Sequence, residues 1–157
     1  MTELDATDLN ILRLLQEDGR TPNAELARQV GLTPTPTLER VRRLEREGVI
    51  RRYSAHIDPA ALGKGLVVFA SVSLAMHDTD NVEQFESAVK GVPAVLECHH
   101  VTGEADFLLK IVASDTREYE RLLLQHLTKL PGVRQIRRSV VLSTLKEETC
   151  IPITELQ

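Results

Sequence analysis

The segment Thr33-Pro34-Thr35-Pro36-Thr37-Leu38-Glu39-Arg40-Val41-Arg42-Arg43-Leu44-Glu45-Arg46-Glu47-Gly48 constrains the fold more than any other part of this 157-residue chain. Leu38, Val41 and Leu44 recur every third residue, so on a helix they share one stripe that can be buried. Arg40, Arg42, Arg43 and Arg46 project mostly from the remaining surface. A threonine hydroxyl can cap the first free amides, and proline is tolerated in the first turn because those amides have no intrahelical partner. Either Thr33 or Thr35 can be the cap, since each precedes a proline that disfavours helical dihedrals at the residue before it. Gly48 suits the left-handed residue that ends a helix. Alone, a helix rich in arginine and glutamate is usually a solvated surface.

What precedes it changes that reading. Asp5 to Asp18 is expected to form a helix, with Asp5 as cap, Asp8 three residues on as a partial capping box, and Leu4 and Leu9 placed for a hydrophobic staple. Leu9, Ile11, Leu12, Leu14 and Leu15 make its apolar face and Gly19 closes it. Thr21-Pro22 opens a second helix through Val30, with Leu26, Ala27 and Val30 inward and Gly31 at its end. Three helices with a short glycine-containing turn before the third follow the helix-turn-helix plan, whose later helix enters the DNA major groove. Net charge is −4 overall, but the stretch from Arg28 to Arg52 carries seven arginines against three glutamates, a local +4 that suits docking on phosphates. Arginine reads guanine bidentately or pairs with phosphate, and threonine offers a hydroxyl and a methyl to base edges. Thr35, Thr37 and Arg40 are the candidates for reading bases. Arg42, Arg43 and Arg46 are the candidates for phosphate contact, with Arg46 alternatively paired in solution.

After Gly48, residues Val49 to Ile57 alternate apolar and polar, as a strand or small hairpin would. Asp58-Pro59 and Leu62-Gly63-Lys64-Gly65 mark a linker. The expected organisation is a helix-turn-helix domain over 1–57, a linker over 58–65 and a second domain over 66–157. That second half changes character: strands at Leu66 to Leu74, Val95 to Thr102, Phe107 to Val112 and Val133 to Leu142, with helices at Asn81 to Lys90 and Thr116 to Leu130. The order β-α-β-β-α-β is ferredoxin-like, making the chain α+β. One face of such a sheet is left open, and with Val67 and Phe69 on it a second copy of the chain is the simplest cover. The two cysteines, Cys98 and Cys150, are far apart, with no zinc spacing or disulfide framework, and Cys98 is expected to be a buried, inert thiol. No metal, cofactor or catalytic group is implied. The N-terminus lacks a signal-peptide pattern, and the longest apolar stretch, Leu66 to Met76, is too short to span a bilayer, so a cytoplasmic protein without membrane contact is expected.

Taken together, the chain resembles the leucine-responsive/asparagine regulator (Lrp/AsnC) family of bacterial and archaeal transcription factors over nearly its whole length. The resemblance is carried by Leu4-Asp5-x-x-Asp8-x-x-Ile11-Leu12, by Gly31-Leu32-Thr33-Pro34-Thr35-Pro36 with Arg40-Val41 and Arg43-Leu44-Glu45, and by Gly48-Val49-Ile50. Glu97-Cys98-His99, Val101-Thr102-Gly103-Glu104-Ala105-Asp106-Phe107 and Leu130-Pro131-Gly132-Val133 complete it. It implies a double-stranded-DNA-binding regulator of metabolism that senses an amino acid. It also implies a homodimer formed through the C-terminal sheets, assembling to tetramers or octamers, with the effector between subunits against the loop Thr102 to Asp106. Ser139 matches a position near the effector in the family. Phe107, Arg52 and Arg138 replace the family's usual Tyr, Gly and Thr, and Arg137 and Arg138 fall beside the expected pocket.

The chemistry of that loop agrees. Gly103 allows close backbone approach, the amides from Thr102 to Ala105 can serve a carboxylate, and Glu104 or Asp106 can pair with an ammonium. The alternative is a tight connection in which Asp106 only bonds the turn. Two other functions fit the chain less well. One is an architectural protein that compacts DNA with little sequence preference. The other is a tetrapyrrole decarboxylase, as some proteins resembling this family are. Its paired histidines, His99 and His100, would face opposite sides of a strand and could not readily share one centre.

Overall fold

The computed structural model describes residues 3–76 and 78–153. Residues 1 and 2, part of the segment without a signal-peptide pattern, and the last four residues of the expected second domain lie outside the described residues. The chain divides into two compact units, Met1–His56 with Lys146–Gln157, and Ile57–Leu145.

The first unit is built on α1 (Ala6–Glu17), α2 (Asn23–Val30) and α3 (Pro34–Arg46). Asp5 and Asp8 close a reciprocal capping box: the Asp8 amide donates to Asp5 Oδ1 at 2.8 Å and the Asp5 amide to Asp8 Oδ2 at 3.2 Å. Gly31, at φ 72°, ends α2 in the left-handed region, where a side chain would strain the backbone. Thr33 is the N-cap of α3, yet its side chain makes no capping bond. The reason lies in the prolines: Pro34 and Pro36 have no N–H, so an N-cap hydroxyl has only the Thr35 amide left to accept from. The buried core joins Ile11, Leu26, Val41 and Leu44, with Leu4, Leu12, Leu14, Leu15, Val30, Val49 and Ile50 packed against it.

Three expectations for this unit are corrected. Leu38 does not share the buried stripe; it is 36 % exposed, and Thr37, fully buried, takes its place beside Val41 and Leu44. The spacing 37, 41, 44 follows the helical repeat as well as 38, 41, 44 does, and a threonine can enter a core when its hydroxyl is satisfied, here by donating to the Thr33 carbonyl at 3.0 Å. Residues 51–58 form neither strand nor hairpin; they are irregular and exposed, since alternation alone supplies no neighbouring strand to bond with. The C-terminal stretch from Lys146 groups with the helices rather than with the second domain. Gln16 of α1 explains this: its Nε2 donates to the Ile151 carbonyl at 3.1 Å and its Oε1 accepts from the Ile151 amide at 2.7 Å. One side-chain amide thus supplies both partners of an extended backbone, and the Cys150 thiol adds a bond to the Gln16 carbonyl.

The second unit opens on a 3₁₀ turn, Pro59–Leu62, capped by Asp58 within the expected linker. There follow β1 (Leu66–Leu74), α4 (Thr79–Val89), β2 (Val95–His100), β3 (Phe107–Ala113), α5 (Thr116–Gln125) and β4 (Val133–Val140). α5 stops at Gln125, short of the expected Leu130, and a 3₁₀ turn over Leu127–Lys129 completes the connection. The four strands pair antiparallel in the order β2-β3-β1-β4, the ferredoxin-like arrangement. Alternate residues define its faces. Val68, Ala70, Val72 and Leu74 of β1 and Phe107, Leu109 and Ile111 of β3 are buried with Phe85 and Val89 of α4 and Tyr119 of α5. Phe85 and Phe107 pack with ring centroids 4.4 Å apart and planes tilted by 30°. The opposite face carries Val67, Phe69 and Ser71 of β1, with Leu108, Lys110, Arg137 and Ser139 in register beside them. Phe69 is 37 % exposed there.

Candidate functional site

Among the described residues, each unit holds a candidate site. On α3, the helical repeat sorts the polar residues into two sets. Thr35, Leu38, Arg42 and Arg46 are exposed along one side. Arg40 and Arg43 turn instead toward the start of α1. Arg40 Nη1 donates to Asp5 Oδ2 at 2.6 Å and to Asp8 Oδ1 at 2.8 Å, and Arg43 Nη2 donates to Asp8 Oδ2. Asp8 is 1 % exposed. The Asp8 amide and the Arg40 guanidinium together hold the Asp5 carboxyl below its usual range. Arg28 is likewise occupied by Glu25, whose carboxyl that guanidinium, with Gln29, brings down to about 2. Among the described residues, Arg42 and Arg46 have no ion-pair partner.

Of the expected DNA contacts, Thr37 is corrected: it is inside the core, where it does not reach a base. Arg40, expected to read bases, and Arg43, expected on phosphate, are ion-paired with Asp5 and Asp8, their side chains 30 % and 34 % exposed. Thr35, Arg42 and Arg46 remain exposed as expected, and Leu38 joins them. The signal that was available is the pair Asp5 and Asp8: the capping box fixed one role for each carboxylate but left their remaining oxygens without partners. Their arginines lie more than thirty positions away in sequence.

In the second unit, the loop between β2 and β3 borders a cavity of 320 Å³ lined by Ser71, Ser73, Val101, Thr102, Glu104, Ala105, Leu108 and Arg137. Arg137 Nη1 meets Glu104 Oε2 at 2.6 Å at its rim. Gly103 sits at φ 120°, a conformation that favours glycine, and turns the loop. The amides of Thr102, Gly103, Glu104 and Ala105 make no hydrogen bond among the described residues. The Ser73 hydroxyl donates to the Glu104 carbonyl at 3.4 Å.

Thr102, Glu104 and Ala105 therefore line the cavity as expected, and Gly103 shapes it. Asp106 does not line it; its Oδ2 accepts from the Leu74 amide at 2.8 Å, tying the loop to the end of β1. Ser139 lies opposite Phe69 on the same open face but outside the cavity lining. The two arginines expected beside the pocket part company, as neighbours on a strand must. Arg137 faces the cavity, whereas Arg138 lies on the helix-covered face, 6.0 Å from the Tyr119 ring. A larger recess of 490 Å³ lies on that side, between Leu123, Thr128 and β4, but its lining holds Arg134 and Arg138 and no carboxylate. It offers an ammonium group two like charges and no opposite one. His99 and His100 are split across the sheet: His99 Nε2 lies 3.2 Å from Glu97 and His100 stacks on Phe107. Cys98 is exposed rather than buried, because β2 is an edge strand, and partial desolvation pushes its thiol pKa up.

Residues 4–51 match the family described as winged helix-turn-helix DNA-binding, and residues 67–151 match the Lrp/AsnC ligand binding domain. The chain belongs to the Lrp/AsnC family. It is 46 % identical to the leucine-responsive regulatory protein of Klebsiella pneumoniae over 151 residues, 96 % of this chain and 92 % of that protein. It is 45 % identical, with the same coverage, to the leucine-responsive regulatory protein of Escherichia coli K12. Among solved structures, a transcriptional regulator from Neisseria meningitidis in complex with L-Met superposes with a TM-score of 0.89 at 38 % identity, covering 96 % of this chain and 97 % of that one. The leucine response regulatory protein of Mycobacterium tuberculosis superposes with a TM-score of 0.82 at 32 % identity, covering 95 % of this chain and 100 % of that one. As an Lrp/AsnC protein, the chain is a DNA-binding transcriptional regulator with a small-molecule ligand domain. No helix among the described residues is long and apolar enough to cross a membrane.

Proposed function

We propose that this Lrp/AsnC protein is a cytoplasmic, sequence-specific regulator whose effector is an amino acid held in the cavity beside the 101–105 loop. The observation that carries the reading is the set of groups at that cavity. A free amino acid is a zwitterion, and the cavity is lined by groups of both signs: Arg137 and the residues Thr102, Glu104 and Ala105, whose amides are unbonded, for the carboxylate, and the Glu104 carboxylate for the ammonium. The Glu104–Arg137 pair is well exposed, so it has little to lose when a ligand inserts between its partners. Val101, Ala105 and Leu108 favour an apolar side chain, in keeping with the L-Met held by the Neisseria relative.

On the DNA side, Thr35 and Leu38 face base edges while Arg42 and Arg46 take phosphates. The open sheet face pairs two copies, and dimers assemble further to tetramers or octamers. One observation favours the architectural alternative: with Thr37 and Arg40 withdrawn, the exposed face of α3 is richer in phosphate partners than in base readers. An operator-to-random-DNA affinity ratio near one would establish that alternative.

The test of the effector site is calorimetric titration of the protein with each L-amino acid. Saturable binding of one or a few is expected, lost in both Glu104→Gln and Arg137→Gln. Binding that survives both substitutions would remove the cavity as the site.

A further inference from the structure

The ion pairs between α1 and α3 carry a consequence for how the protein discriminates among DNA sequences. Arg40 and Arg43 lie three apart on one side of α3, and both are held by carboxylates at the start of α1. The Asp8 carboxylate is 1 % exposed and uses both oxygens, Oδ1 on Arg40 and Oδ2 on Arg43. Arg43 Nε is itself buried without a hydrogen-bond partner, so the guanidinium is held by its Asp8 contact alone among the described residues. Arg42 and Arg46, four apart on a different side, are exposed.

We propose that Asp8 is a specificity-determining positioning residue: it withholds Arg43, and together with Asp5 Arg40, from the DNA backbone and so fixes which side of α3 meets the duplex. An arginine that reaches phosphate adds affinity that is the same on every sequence, through release of condensed counterions. It raises operator and random-DNA binding alike and, at a different angle around the helix, competes with the pose in which Thr35 and Leu38 reach base edges. A buried carboxylate bound to two guanidiniums removes that competition. The inference rests on the reading of the chain as a sequence-specific regulator.

The experiment compares the wild-type protein with Asp8→Asn and the charge-neutral double variant Asp8→Asn/Arg43→Gln. Each is titrated with a random-sequence duplex across a range of salt, and with an operator duplex enriched from a random pool by the wild-type protein. Asp8→Asn releases Arg43, while Asp5 retains Arg40. The slope of log K against log salt should steepen by about 0.9, the value for one added phosphate contact, and the operator-to-random ratio should fall several-fold. In the double variant the slope should return to the wild-type value. A folded Asp8→Asn protein with the wild-type slope would overturn the proposal. So would a double variant with a slope about 0.9 shallower than wild type, since that places Arg43 on a phosphate in the native protein. If Asp8→Asn does not fold, the double variant still decides. Failure to enrich any operator with the wild-type protein would sink sequence-specific regulation itself, and leaves the slopes on random DNA to judge the withholding of Arg43 on their own.

Discussion

Thr37 secures α3 from within the core. Its hydroxyl donates to the Thr33 carbonyl at 3.0 Å in a site with no solvent exposure. Thr37→Val keeps the shape and loses that bond, so urea unfolding should show a loss of about 0.5–1.5 kcal/mol with operator preference unchanged. A shift in preferred sequence would return Thr37 to the list of base contacts. Glu118 supplies a pH-dependent test in the other unit. Lys64 first, then the Ser114 amide, hold its carboxyl down to about 2. A depressed carboxylate stabilises the fold above its unfolded value, near 4.5, and that contribution disappears as pH falls through about 2. Glu118→Gln should therefore melt below the wild type at pH 7 and together with it near pH 2. A gap that persists in acid would assign the difference to packing. At this scale local roles were legible in the sequence and distant ones were not. Asp5 capping α1 and Gly31 ending α2 are settled within a few residues, whereas the fate of Arg40 and Arg43 depends on the packing of α1 against α3.

Among the elements, the C-terminal segment is the one whose placement the residue pattern did not reveal. Its continuation from β4 suggested a single domain to the end of the chain, but beyond Leu145 the segment bonds to the first unit, chiefly through the Gln16 side chain on Ile151, with Arg13 donating to the Ile153 carbonyl and the Cys150 thiol to the Gln16 carbonyl. Gln16→Ala removes both bonds to Ile151. The expected result is a loss of about 1–2 kcal/mol in the denaturant unfolding of the full chain, the worth of two ordinary hydrogen bonds. It should be accompanied by faster proteolysis after Lys146. Unchanged proteolysis would show that the segment is held by other contacts. Most of the remaining elements were legible to within a few residues because the apolar run from Leu66 reads as a strand and the two later helices carry apolar residues at helical spacing; in the structure Asp78 and Asp115 cap α4 and α5. The candidate cavity was half legible. Its loop residues stood out by glycine and charge, but Ser71, Ser73 and Arg137 join it only through the strand register.

For the molecule as a whole, the open sheet face and the two sites have to work together. Phe69 sits in the middle of the face proposed to pair two copies, and Phe69→Glu should lower the mass measured by sedimentation equilibrium, since an unpaired charge cannot be buried there cheaply. An unchanged mass would move the pairing surface elsewhere. The central claim is that ligand in one domain alters DNA binding by the other. The most direct measurement is the affinity of the wild-type protein for its enriched operator, at fixed salt, with and without a saturating concentration of the amino acid that binds. A coupled regulator should change its operator affinity by roughly 5- to 150-fold, in either direction, and the amino acid should bind tighter or weaker by the same factor when operator is present. Saturable amino-acid binding with identical operator affinity in both conditions would contradict the account.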